Sequence, residues 1–150
     1  MSYTRTEENY LKAIYGLELK LGKTVSTNDL AKKLTTKASS VTDMVKKLAK
    51  KELITYTKYQ GVSLTKCGKN IAINIIRNHR IWEVFLVEKL GYKWDEVHEI
   101  AEQLEHIKSK ELVDRLDDFL EHPSYDPHGD PIPDKKGNMP IRKEAIQLSE

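Results

Sequence analysis

The stretch TNDLAKKLTTKASSVTDMVKKLAKKELITYTKYQGVSLT, residues 27–65, carries the strongest architectural signal in the chain. Residues 27–34 predict a short helix capped by Thr27 or Ser26, whose side-chain oxygens accept from backbone N–H groups that lack partners in the first turn. After a brief break at Thr35–Lys37, residues 38–51 predict a second helix. Ser39 or Ser40 can cap it, and Val41, Met44, Val45 and Leu48 recur at the spacing of one buried stripe. Its other face carries Ser40, Thr42, Asp43, Lys46, Lys47, Lys50 and Lys51. Two short helices split by three or four residues predict a helix-turn-helix. Ile54, Tyr56, Val62 and Leu64 then mark two short strands, with Tyr59-Gln60-Gly61 as the turn and Gly61 free to take a positive φ. A hairpin in that place is the wing of a winged helix.

Upstream, residues 6–21 predict a further helix, with Thr6 as cap and glutamates in the first turn, where the helix dipole favours them. Tyr10, Leu11, Ile14, Leu17 and Leu21 form its apolar stripe, and Gly22 ends it. In a helix-turn-helix the second helix enters the major groove with its N-terminal residues near base edges. Lys37, Ser39, Ser40, Thr42 and Asp43 are therefore the candidate base readers, and Asp43 can accept from cytosine. Lys46, Lys47 and Lys50, with Lys58 at the wing tip, fall nearer phosphates, which supply affinity rather than sequence choice. A lysine-rich helix face alone is more often just solvated. The order helix, helix-turn-helix, hairpin is what makes DNA binding the better reading.

Charge divides along the chain. Residues 1–70 hold 14 basic and 6 acidic side chains, a net of +8, whereas residues 71–150 hold 11 and 17, a net of −6. A basic half beside an acidic half suits one part that meets phosphate and another that meets cations. No run of 18 apolar residues suggests a membrane span, and the N-terminus has no apolar signal core, so a cytoplasmic protein is expected. Cys67 is the single cysteine, which excludes an internal disulfide and a thiolate zinc cluster.

The acidic half concentrates metal donors. Residues 66–90 predict one long helix with Ile71, Ile75, Ile76, Val84, Phe85 and Leu86 as apolar contacts, broken at Gly91. It carries His79 and Glu83, four residues and so about 40° apart on the helix. A second helix is expected over 94–107, with His98, Glu102, Glu105 and His106 as donors. At about 100° per residue, the last three fall near +40°, −20° and +80° from His98. They share one face, while Val97, Ile100, Ala101, Leu104 and Ile107 supply the core side. Glu99 lies off the stripe. Imidazoles with several carboxylates suit manganese(II), iron(II), cobalt(II) or zinc(II). Each of these residues alone is more often part of a solvated face. Together they favour metal, because gathered carboxylates repel one another until a cation joins them. HEIAE is not HExxH, so the zinc-protease signature is absent, and no separate catalytic motif accompanies the donors. An enzyme is not expected.

Several stretches resemble the diphtheria toxin repressor family of metal-dependent transcriptional regulators. They are NHRIWEVFLVEKLGYKWDEVHEIAEQLEHIKS (78–109), DPHGDPIP (126–133), ENYLKAIY (8–15) and SSVTDMVKKL (39–48), and the likeness spans about residues 4–133. The resemblance implies a mainly α protein, with a winged helix-turn-helix DNA-binding domain over 1–70 and an all-helical metal-binding and dimerisation domain over 71–133. It implies a homodimeric repressor that binds palindromic double-stranded operator DNA once metal is bound, and that controls metal-ion homeostasis genes. It implies neither a membrane nor a protein substrate as partner. The metal ligands it implies are His79, Glu83, His98, Glu102, Glu105 and His106, with the first-helix ligand falling on Asn9 and Glu8 beside it. Iron-responsive members carry cysteine where Glu102 stands, so the likeness is to the manganese-responsive type, with Fe2+ as the alternative and Zn2+ or Co2+ as substitutes in vitro. Manganese-responsive members place aspartate and glutamate where this chain has Asn9 and Lys12. Asn9 can still offer its amide oxygen; Lys12 offers no ligand. The SH3-like third part of longer members has no counterpart after Pro133, and residues 134–150 read as a flexible tail. The alternative function is a metal-independent winged-helix regulator that responds to a small molecule.

Overall fold

Thr4 opens the first helix. Its hydroxyl accepts from the Glu7 backbone N–H, while the Glu7 carboxylate accepts from the Thr4 backbone N–H. Such a reciprocal cap stabilises a helix start by about 1 kcal/mol. In the computed structural model, which describes residues 3–22 and 24–140, α1 accordingly runs Arg5–Leu21 and starts ahead of the expected cap at Thr6. Gly22 ends it in the left-handed conformation, with φ 67°. Tyr10, Leu11 and Ile14 are buried as the stripe requires, but Leu21 is exposed.

Ser26 caps α2 (Thr27–Leu34) through the Asp29 N–H, and Thr35 closes it at φ 52°. The second helix of the motif, α3, runs Ala38–Lys50 with Lys37 at the cap position and no side-chain cap bond. Ser39 and Ser40 therefore lie inside the first turn rather than capping it, because the chain becomes helical before reaching them. Val41, Val45 and Leu48 are fully buried. β1 (Ile54–Thr57) pairs antiparallel with β2 (Gly61–Leu64), in the register Ile54↔Leu64 and Tyr56↔Val62. Gly61 takes φ 113°, and a side chain there would press its Cβ to 2.6 Å from the Val25 carbonyl. That close approach lets Val25 and Val62 exchange backbone hydrogen bonds and add a single bridge from a third segment to the wing.

These elements form one compact unit, Met1–Ile73, and the chain from Asn74 forms another. In the first, α1 packs on α2 and β2, and α3 packs on α2 and β1. The long helix α4, Lys66–Glu88, supplies the start of the second unit, followed by α5 (His98–Leu104) and α6 (Lys110–Phe119). Ile81 and Val84 of α4, Val113 and Leu116 of α6, Leu120 and Ile132 form the core of the second unit, edged by Trp82 and Phe85. No element was expected over 110–119. There Ser109 caps α6 through the Leu112 N–H, and the apolar residues follow at helical spacing. The helix expected over 94–107 is shorter than its periodicity suggested. Glu96 folds back onto the Lys93 N–H in a turn, and the chain tightens at Leu104–Ile107 before the α6 cap. Among the described residues, no helix is long and apolar enough to cross a membrane.

Candidate metal centre and nucleic-acid face

Glu83 lies at the middle of the donor cluster in the second unit. Its side chain is 1% exposed, and Oε2 has no hydrogen-bond partner among the described residues. Three imidazole nitrogens nevertheless face that oxygen: His79 Nε2 at 3.4 Å, His128 Nδ1 at 3.4 Å and His98 Nδ1 at 3.8 Å. His79 and Glu83 are one turn apart on α4, as their spacing required. His98 opens α5, and its ring meets that of His79 edge-on at 4.8 Å.

His128 and its neighbour Asp126 were not among the expected ligands. Both belong to the stretch DPHGDPIP, where the sequence offers residue types but no helical period to align them. The structure supplies the missing order as a tight loop. Asp126 Oδ1 accepts from the backbone N–H groups of His128 and Asp130, at 2.8 and 2.9 Å, and the Asp126 N–H donates to the Asp130 carbonyl. Oδ2 is thereby left facing His128 Nδ1 at 3.7 Å. Arg80, next to His79 on α4, donates to the Pro131 carbonyl and fastens the loop to the helix. His128 Nε2 lies 2.7 Å from the Trp94 carbonyl, which can only accept, so Nε2 carries a proton and the ring is turned with Nδ1 toward the carboxylates. Glu83 thus belongs to two possible ion-holding groups: His79, Glu83 and His98, and Glu83, Asp126 and His128.

Electrostatics show what the cluster lacks. Burial pushes the Asp126 carboxyl up, and its bond to and the charge of Glu83 push it further, to about 6. Burial also raises Glu83, but the His79 ring beside it, the Asp126 carboxyl and the positive fields of His79 and His128 outweigh it and leave Glu83 lowered. Burial would lower His128, yet the Trp94 carbonyl and the Glu83 and Asp126 carboxylates raise it. The site therefore retains protons where a cation of higher charge would replace them.

Glu105 and His106 form the adjoining group. The Glu105 side chain is buried, and its Oε1 lies 2.7 Å from His79 Nδ1, so the same imidazole faces Glu83 with one nitrogen and Glu105 with the other. His106 Nε2 lies 3.6 Å from Glu105 Oε2, and Asn78 donates to the Glu105 carbonyl. Glu102, 48% exposed, reaches His98 Nε2 at 2.8 Å. The structure therefore links all six donors expected in this half, although Glu105 and His106 stand just beyond the end of α5. In the first unit, Glu8 is buried on α1, and Asn9 lines a cleft together with Thr6, Ser40 and Met44.

The first unit carries the candidate nucleic-acid face. Lys37, Ser39, Ser40, Asp43, Lys46, Lys47 and Lys50 are exposed along α3, and Lys58 is exposed at the wing. Thr42 is half-buried, and its hydroxyl donates back to the Ala38 carbonyl. Tyr59, which the sequence reading treated only as a turn residue, stands almost wholly exposed at φ 70° with the Lys58 ammonium 5.3 Å from its ring centre. Lys51 is not available in the same way, because its ammonium meets Glu7.

A winged helix-turn-helix followed by a helical domain with a buried imidazole–carboxylate centre defines a class of metal-linked DNA-binding regulators. Residues 2–62 match the iron dependent repressor N-terminal DNA binding domain, and residues 65–134 match the iron dependent repressor metal binding and dimerisation domain. The chain belongs to the iron-dependent repressor family, a family of transcriptional regulators rather than enzymes. It is 34% identical over 128 residues to the iron-dependent repressor IdeR of Mycobacterium tuberculosis, across 85% of this chain and 55% of that one. It is 34% identical over 119 residues to the HTH-type transcriptional regulator MntR of Geobacillus thermodenitrificans, across 79% of this chain and 83% of that one. A solved manganese-dependent transcriptional repressor in complex with manganese superposes with a TM-score of 0.83 at 41% identity, covering 91% of this chain and 63% of its own. The chain thus spans a little over half the length of IdeR and somewhat under two thirds of that structure.

Proposed function

We propose that this protein is a cytoplasmic, homodimeric repressor that binds palindromic operator DNA when loaded with a divalent metal, and that it controls genes of metal-ion homeostasis. Mn2+ is the proposed ion and Fe2+ the alternative, with Zn2+ and Co2+ as in vitro substitutes. The observation that carries this reading is Glu83 Oε2, a buried anionic oxygen without a hydrogen bond and faced by three imidazole nitrogens. Buried polar atoms are almost always paired, so such an oxygen calls for a ligand. The donor set fits an ion of intermediate hardness, because it mixes neutral nitrogens with carboxylate oxygens and includes no thiolate.

His79, Glu83, His98, Asp126 and His128 are proposed to hold one ion, and Glu102, Glu105 and His106 a second. Asn9 is proposed as a first-helix oxygen donor, with Glu8 beside it. The bound ion supplies positive charge that relieves the repulsion among these carboxylates. The protein's own groups prepare for it: the Trp94 carbonyl orients His128, Asn78 holds the Glu105 backbone, and the Asp126 loop is closed by its own hydrogen bonds. Lys37, Ser39, Ser40, Thr42 and Asp43 are proposed to read bases, and Lys46, Lys47, Lys50 and Lys58 to contact phosphates. Paired recognition helices match half-sites about 34 Å apart or at multiples of that spacing.

The test is fluorescence anisotropy on a palindromic promoter library, titrated anaerobically with Mn2+, Fe2+ and Zn2+. Tight binding to a palindrome that appears with metal and vanishes with chelator is the expected result. Operator binding indifferent to chelator would instead establish the small-molecule alternative.

A further inference from the structure

Glu7 joins two parts of the first unit that otherwise meet sparingly. The side chain is fully buried, although it is the third residue of a surface helix. Oε1 accepts from the Thr4 N–H and so fixes the first turn of α1. Oε2 lies 2.6 Å from Lys51 Nζ, at the residue that ends the recognition helix α3. One carboxylate therefore clamps the start of α1 to the end of α3. Burial alone would raise the Glu7 carboxyl, but the Lys51 bond and the Thr4 N–H outweigh it and hold it below its ordinary range.

The opposite end of α3 is arranged differently. There Thr6 and Asn9 of α1 stand across an open cleft of about 350 Å³ from Ser40 and Met44. The recognition helix is thus tied to α1 at its C-terminal end and separated from it by open space at the end that carries the candidate base readers. Within its packing on α2 and β1, a shift at that tied end changes the tilt of α3 relative to α1.

We infer that the Glu7–Lys51 ion pair is the positioning link through which the state of the α1 first turn sets the attitude of the recognition helix. The inference rests on the proposed role of Asn9, which follows Glu7 by two residues in the same turn. Drawing Asn9 or Glu8 toward an ion displaces Glu7, and Lys51 moves with the carboxylate. Glu7 and Lys51 themselves contact neither ion nor DNA in this scheme; they act through α3. The ion pair also commits the Lys51 charge, so Lys51 is not one of the phosphate contacts made by its neighbours on α3.

Glu7→Gln and Lys51→Met separate this role from simple structural support. Glutamine keeps the acceptor for the Thr4 N–H and hence the cap, but loses the charge. The measurement is the coupling factor, the ratio of operator affinities with and without saturating Mn2+, together with the Mn2+ affinity of the DNA-free protein by calorimetry and the melting temperature. Linkage requires operator DNA to tighten Mn2+ binding by the same factor, which provides an independent check. Each variant is expected to lower the coupling factor about fivefold or more, within the usual range of allosteric couplings. The double variant should lose no more than the larger single loss, and Lys51→Arg should restore most of the coupling. The Mn2+ affinity of the DNA-free protein should stay within about twofold.

Unchanged coupling in both single variants would overturn the inference. So would a loss of coupling that tracks the melting temperature and extends equally to nonspecific DNA at low salt, since that pattern marks general destabilisation. A wild-type protein that shows no coupling at all would overturn the functional reading first, and is recognised before any variant is made.

Discussion

Glu83 and Glu105 are chemically identical, equally buried and placed on opposite sides of the same imidazole, yet they differ in how they are partnered. Both Glu105 oxygens face histidine nitrogens, one of them at 2.7 Å from His79 Nδ1. Glu83 Oε2 is faced by three histidines at 3.4 to 3.8 Å, and none makes a hydrogen bond to it. The difference lies in what surrounds them. Glu105 has the His79 ring at hydrogen-bond distance. Glu83 stands between helix α4, the start of α5 and the Asp126–Gly129 loop, which hold donors around it at a distance suited to an ion between them rather than to a proton. On the proposed reading, the two glutamates would serve two unequal sites, and an ion at Glu105 would first have to replace the His79–Glu105 contact.

The strongest way to break this comparison is Glu83→Gln. Glutamine preserves size but removes the charge shared by both ion-holding groups. Loss of the tighter of the two expected Mn2+ equivalents by calorimetry is the expected outcome, with affinity reduced by more than about 100-fold, beyond what removing a supporting residue usually costs. If Glu105→Gln gave that loss and Glu83→Gln did not, the order of the two sites would be reversed.

Asp126→Asn sharpens the comparison through pH. The Asp126 carboxyl is raised to about 6 from an ordinary 3.8, so the folded protein holds this proton more tightly than the unfolded chain does. Ionising it costs stability. The cost is fully present above about 6, diminishes as pH falls, and is gone below the ordinary value. Asparagine removes that cost and can donate to the Glu83 carboxylate. The metal-free variant should therefore melt higher than the parent at pH 7.5, with the gap closing toward pH 4. Its Mn2+ affinity should fall about tenfold at neutral pH, because one anionic ligand has become neutral. The parent should bind Mn2+ more weakly as pH drops through about 6, with protons released on binding. A variant no more stable than the parent in chelator at pH 7.5 would show that Asp126 carries no strain.

The two glutamates also mark how far the sequence could be read. His79 and Glu83 were legible because a helix converts a spacing of four into a shared face. The recognition helix and wing were legible for similar reasons, since period and turn chemistry are local. Asp126 and His128 were not, because a loop has no period, and their approach to Glu83 depends on Arg80 gripping the Pro131 carbonyl from another element. The caps were misplaced by the same logic. Thr4 and Thr6 are equally good capping residues in isolation, and the choice of Thr4 depends on Glu7 lying three residues after it. Helix α6 was missed although its period was present, and the helix over 94–107 was drawn too long because the turn at Glu96 leaves the hydrophobic pattern intact.

Glu105→Gln should be milder than either change at the Glu83 site. The tight equivalent should persist, and only the weaker one should lose affinity, by about tenfold on the same scale. Imidazole NMR should also show a change at His79, whose Nδ1 would face an amide in place of a carboxylate. If both equivalents weakened together, the His79–Glu105 contact would have to be counted as part of the tight site.

His98→Ala is expected to have a much smaller effect than Glu83→Gln, and the reason is exposure. The His98 side chain is 61% exposed, and its Nδ1 is the most distant of the three nitrogens from Glu83 Oε2, at 3.8 Å. An exposed side chain must be immobilised when it binds, and water competes with it for both the ion and Glu102. His79 and His128 are largely buried and have little of that cost left to meet. The expected loss of Mn2+ affinity is therefore only about three- to tenfold, at the low end for a metal-site residue. Glu102→Ala should do less at this site, because Glu102 reaches it only through His98 Nε2, and nonspecific DNA binding at low salt should remain intact. A loss for His98→Ala as large as that for Glu83→Gln would mean that α5 closes over the ion, and that the exposed histidine becomes a buried ligand once metal arrives.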